Sequence, residues 1–129
     1  YLQLIFNLGI GMTVFIIVSW LYPNGHFLRP MTFPRENIFT DMVRFLYTID
    51  TSTNVLPSIH VYNSVMMCVS LLKSHKIKQH TWLCFLIIAL AILICMSTVM
   101  IKQHAFMDIV WALVLAIVIY SIGKWKFDY

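Results

Sequence analysis

Three stretches of the chain run apolar with scarcely an interruption: Leu2 to Tyr22, Trp82 to Ile101 and Ala105 to Gly123. Each is close to the roughly 20 apolar residues that cross a hydrocarbon core, and the last two hold almost no charge, so each predicts a spanning helix. A fourth run, His60 to Leu72, is shorter and carries Asn63, Ser64 and Ser70. Started at Pro57, a favoured first-turn residue, and continued to Ser74, it reaches about 18 residues, or about 27 Å, which is just enough to span. The pattern therefore predicts an all-α, multi-pass transmembrane helix bundle of about four helices, with a long loop from Pro23 to Leu56 between the first two. Neither an internal repeat nor a flexible linker divides it, so residues 1–129 read as one domain. The chain opens on Tyr1 rather than Met, which points to a piece of a longer or trimmed protein and leaves a signal peptide unjudged.

Composition agrees with a lipid solvent. Hydrophobic residues make up 60% of the 129 and charged residues 11%, with a mean hydropathy of +0.83. A chain this short cannot hide so much apolar surface in one core, because small domains leave much of their surface outside. Charge then orients the helices. Lys73, Lys76 and Lys78 fall in the connection after the fourth run, and Lys124 and Lys126 follow the last helix. Four helices in alternation put both groups on one face, which the positive-inside rule makes cytoplasmic. The long loop, in which Arg29, Arg35 and Arg44 are balanced by Glu36, Asp41 and Asp50, then lies on the other side. The net charge of +4 is mostly this lysine bias; without a basic patch interleaved with aromatics it does not suggest nucleic acid. Cys68, Cys84 and Cys95 sit in apolar runs, the last two roughly 16 Å apart on one helix, too far to bridge.

Topology makes chemistry out of residues that look unrelated in the linear order. The helix begun at Pro57 descends to the lysine turn and the next one climbs back, so His60 and His104 arrive at the same depth on the non-cytoplasmic side. His104 and Asp108 are spaced i, i+4, which stacks them on one helical face and lets the carboxylate hold one ring nitrogen while the other stays free. Arg29 returns to the same surface with a forked cation suited to phosphate. The amides at the start of the Pro57 helix add a dipole that attracts anions. Two imidazoles, a carboxylate and a cation are enough to move a phosphoryl group: one imidazole attacks phosphorus, the carboxylate orients it, and the second imidazole protonates the leaving oxygen.

The motifs around these residues resemble a known family. Pro57-Ser58-Ile59-His60 looks like the second signature, PSGH or PSxH, of the type 2 phosphatidic acid phosphatase superfamily. Ser97 to Asp108, STVMIKQHAFMD, matches its third, SRxxxxxHxxxD, in the spacing of Ser, His and Asp, and Leu28-Arg29-Pro30 resembles the end of its first, KxxxxxxRP. The resemblance runs from about residue 23 to the end. It implies a six-helix membrane enzyme of which the first two helices are missing here, a phosphohistidine at His104, acid catalysis from His60, and phosphate contacts from Arg29, Ser58 and Ser97, with no cofactor or metal. The first-signature lysine falls on Tyr22 and the third-signature arginine on Thr98; Lys102 stands close enough in sequence to replace one of these cations. PSxHV together with KQHxxxD is also similar to the branch containing inositol-phosphorylceramide and sphingomyelin synthases, which pass the phosphohead group to an alcohol.

The expectation is thus a plasma-membrane lipid phosphatase, metal-independent, acting on a phosphomonoester or pyrophosphate of a lipid on the non-cytoplasmic side. Its alternative is a head-group phosphotransferase. Two histidines and a carboxylate also resemble a zinc or iron set, but HxxxD is not HExxH and nearby cations oppose a metal. A non-enzymatic lipid-binding or transport module, with His and Asp relaying protons, is the rival from another class. His26, His75 and His80 read as ordinary interfacial histidines, and Met66 and Met67 as packing. Ser58 is as readily a helix-start residue, and Ser97 as readily bonds to its own helix. Asp50 and Asn54 suit turn chemistry. Neither the lipid nor the oligomeric state is written in the sequence.

Overall fold

The computed structural model describes residues 1–23, 25, 29–30, 32–49, 56–101 and 104–127. They are all-helical: α1 (Leu2–Leu21), α2 (Ile38–Ile49), α3 (Ile59–Lys73), the single turn α4 (His75–Lys78), α5 (Thr81–Met100) and α6 (Phe106–Phe127). α1, α5 and α6 are long and apolar enough to cross a membrane, with mean hydropathies of 2.1, 2.8 and 2.2 over their most apolar windows. Little of that surface is covered by protein. α5 buries only Thr98, while Phe85, Leu93 and Met96 stand exposed along it, which is tenable in lipid and costly in water.

α3 is the centre of the bundle. It packs against α1, α5 and α6, whereas α5 and α6, although consecutive, barely touch each other. Its Val61, Tyr62 and Met66 join Ala112, Ala116 and Ile119 of α6 to form the buried core. The expected helix from Pro57 to Ser74 is corrected to 15 residues. The reason lies at its first turn. Ser58 adopts an extended conformation and its hydroxyl accepts from the Val61 N–H at 3.5 Å, so it caps the helix and leaves Pro57 outside it. At about 22 Å the helix is shorter than a bilayer core, but protein rather than lipid surrounds it. It still joins the two ends of the bundle: Ser58 donates its N–H to the Asp108 carbonyl at one, and the Lys73 ammonium reaches Gln3 Oε1 at 3.3 Å and the Tyr120 ring at the other.

Small and polar residues let α1 approach. A side chain at Gly11 would collide with the Tyr62 ring, and one at Gly123 with the Asn7 side-chain amide. The Tyr62 hydroxyl donates to the Asn7 carbonyl at 2.6 Å and Asn7 Nδ2 lies 4.0 Å from Met66 Sδ. Close backbones joined by polar side chains are how helices associate where there is no water to drive them together.

Two further expectations change. The segment read as one loop from Pro23 to Leu56 contains α2, capped by Asn37, whose Oδ1 accepts from the Thr40 N–H at 2.9 Å. α6 runs past Gly123 to Phe127, so Lys124 and Lys126 lie in its last turn instead of following it, where their charge complements the helix dipole. Gly123 does not end the helix; it makes room for Asn7. Cys68, Cys84 and Cys95 are free and partly buried.

Candidate active site

Each histidine is delivered by a helix end. His60 is the second residue of α3, two positions after the Ser58 cap. His104 lies between α5 and α6, and its position follows from Thr98: the buried Thr98 hydroxyl donates to the Cys95 carbonyl at 2.8 Å, while the Thr98 carbonyl accepts the His104 N–H at 3.2 Å. This turns the chain back at the top of α5. The two imidazoles then meet edge to face, with ring centroids 5.9 Å apart.

Asp108 stands at the third position of α6. Its Oδ2 accepts the Ala105 N–H at 2.8 Å, the backward half of a capping box, and faces His104 Nδ1 at 3.6 Å. The same carboxylate fixes the helix start and the ring. Both groups are buried, His104 at 7% and Asp108 at 2% exposure, whereas His60 opens outward. Nδ1 is the ring nitrogen turned to the carboxylate.

Arg29 is held from an unexpected direction. Its Nη1 donates to the Tyr47 carbonyl at 3.2 Å, its guanidinium lies 4.6 Å from the Tyr47 ring centroid, and the Tyr47 hydroxyl donates to the Ile101 carbonyl at 2.6 Å. Through Tyr47 the arginine is tied to the turn that carries His104. Burial holds the Tyr47 phenol above its ordinary value, against the opposing charge of Arg29. Sequence reasoning missed Tyr47; the signal that could have found it is the helical pattern of residues 38–49.

The remaining candidates divide. Ser58 caps α3, and Ser97 Oγ donates to the Ile94 carbonyl at 2.8 Å, the back-bond expected of a serine in a membrane helix. Lys102 lies outside the described residues, as do His26, Leu28, Asp50 and Asn54. His75 and His80 stand at the lysine end, His75 beside Gln79 at 3.3 Å. Arg44 pairs with Glu36 at 2.7 Å and Asp41 at 3.4 Å, and the guanidinium holds the Glu36 carboxyl below the usual range. Among the described residues no three or more His, Cys, Asp or Glu side chains cluster as a metal-binding set.

The order Arg29, Ser58–His60, His104–Asp108 is thus also a spatial grouping at one end of the bundle, and the family profile of the PAP2 superfamily matches residues 28–128, the stretch that contains it. The chain belongs to the PAP2 superfamily. No curated protein and no solved structure matches the chain. Members of the PAP2 superfamily are generally phosphatases, which places the chain among phosphatase-type membrane enzymes at that coarse level. The match does not single out the sphingomyelin synthase branch.

Proposed function

We propose that the protein is an integral membrane lipid phosphatase that hydrolyses a lipid phosphomonoester or pyrophosphate through a phosphohistidine on His104, without a metal. The observation that carries this reading is the His60–His104 pair at 5.9 Å with the Asp108 carboxylate behind the buried ring. His104 Nε2 attacks phosphorus and the bond to the lipid oxygen breaks. His60, exposed and beside it, gives that oxygen a proton. Asp108 keeps the attacking ring in one tautomer and offsets its growing positive charge. In the second half, His60 takes a proton from water, whose oxygen attacks phosphorus and releases phosphate from His104. Arg29 would clamp the phosphate oxygens, with Lys102 as a second cation and Ser58 and Ser97 as secondary contacts.

An apolar groove supports a lipid as substrate. Because α5 and α6 barely touch, a cavity of about 510 Å³ opens between them, floored by Val65 of α3 and lined by residues from Ala91 to Met100 on α5 and by Phe106, Ile109 and Leu113 on α6. Phe106 lies two residues from His104, so a chain lying in the groove would place its head at the histidines. The lysine end would face the cytoplasm and the site the opposite side of the plasma membrane.

Transfer to an alcohol shares the first half-reaction, and the PSxHV and KQHxxxD patterns favour it as the second reading. The deciding experiment offers reconstituted protein a panel of labelled lipid phosphates, with and without ceramide or diacylglycerol. Free phosphate released alike with and without EDTA is the expected result. Label moving to the alcohol would make the protein a transferase, chelator sensitivity would restore a metal, and no turnover by folded protein would leave a lipid-binding or transport module.

A further inference from the structure

α2 is amphipathic in a way that the rest of the bundle does not use. At about 100° per residue, Ile38, Phe39, Met42, Phe45 and Ile49 fall along one side, and all five are exposed, Phe39 at 72%. The strip that meets the protein is on the opposite side: Thr40, Val43 and Tyr47 are the half-buried positions of the helix. Among the described residues α2 makes only sparse contacts with the other helices. At 12 residues, about 18 Å, it is too short to cross a bilayer.

Its height in the fold is fixed by Tyr47, whose hydroxyl is bonded to the carbonyl of Ile101, the residue that follows α5. α2 is therefore level with the ends of the spans. At that level the outer surface of the spans is still apolar, with Met100 at 76% and Phe106 at 71% exposure. The charges of α2 itself are Asp41 and Arg44, and Arg44 pairs with Asp41 and with Glu36 just before the helix. Nothing there calls for an anionic lipid.

We propose that α2 is an interfacial anchor, seated through Ile38, Phe39, Met42, Phe45 and Ile49 in the boundary between headgroups and acyl chains of a zwitterionic bilayer at the histidine end. Such a seat removes an apolar stripe from water and steadies Tyr47, hence Arg29, against the membrane surface. The seat concerns where a helix sits and is independent of what the site catalyses.

The test places spin labels one at a time at Phe39, Phe45, Asp41 and Thr48, in the full chain with its three cysteines replaced by alanine and reconstituted in phosphatidylcholine nanodiscs. Collision rates with oxygen and with a water-soluble nickel chelate are then compared. The labels at 39 and 45 should show a several-fold higher oxygen-to-nickel ratio than those at 41 and 48, unchanged when phosphatidylserine is added. Equal ratios at all four would mean that the face is in water. Labels at 39 and 45 shielded from both agents would mean that protein, another segment or a second copy, covers it. Either result overturns the proposal; Met42, on the same face, serves where a label at a phenylalanine prevents folding.

Discussion

His104 sits 7% exposed against a carboxylate that is 2% exposed, while His60 opens outward, and this difference in burial suits the proposed division of labour. A nucleophile benefits from a fixed ring and an excluded solvent; an acid that must next activate an acceptor benefits from access to it. Asp108 serves both the ring and the start of α6, so its removal needs a conservative test. Asp108→Asn keeps an oxygen for the Ala105 N–H but loses the charge opposite Nδ1, and we expect a fall in kcat of at least ~10²-fold in a protein that still folds, read from phosphate release beside a thermal melt. Tyr47 offers a pH test. Its phenol is held above the ordinary value by burial, so what its hydroxyl contributes is complete below the unfolded-state value of about 10 and is lost as pH rises through the higher folded one. The melting temperature of the wild type should exceed that of Tyr47→Phe by a constant margin through neutral pH, and the margin should shrink only in alkali. A margin that already closes near pH 8 would contradict the buried phenol.

At the scale of elements, the long helices were legible because lipid makes composition the direct signal: a helix that must be apolar on all sides is found by run length alone. The same habit hid α2. Its apolar residues are spaced 1, 3 and 4 apart and interrupted by Thr40, Asp41, Arg44 and Thr48, so it forms no run, and only its period and the Asn37 cap reveal it. The α3 start was misplaced by two residues because Pro57 and Ser58 both suit a first turn, and the Ser58 hydroxyl decides between them. Packing of α1 on α3 depended on a contact that sequence does not show, the Tyr62 ring over Gly11. Gly11→Ala should therefore destabilise the bundle by about 1–3 kcal/mol, whereas Gly9→Ala, with open space around the new methyl, should be neutral or slightly stabilising. Thermal unfolding of the two variants in the same detergent reads the difference, and equal melts would mean that α1 does not sit against Tyr62.

For the whole molecule, sequence spacing located His60, His104 and Asp108 because each lies at a helix end, where one topological argument fixes its depth. It did not reveal how Arg29 is held, since that depends on α2, nor that α5 and α6 part to leave a groove beside the histidines. In the proposed function those two features connect the site to lipid, Arg29 as the phosphate clamp and the groove as the seat of the lipid chain. The central claim is that phosphorus passes through His104. Quenching the reconstituted protein during turnover of a radiolabelled lipid phosphate should leave an acid-labile, alkali-stable label on the wild type and none on His104→Ala. Label that persists in folded His104→Ala would contradict the account.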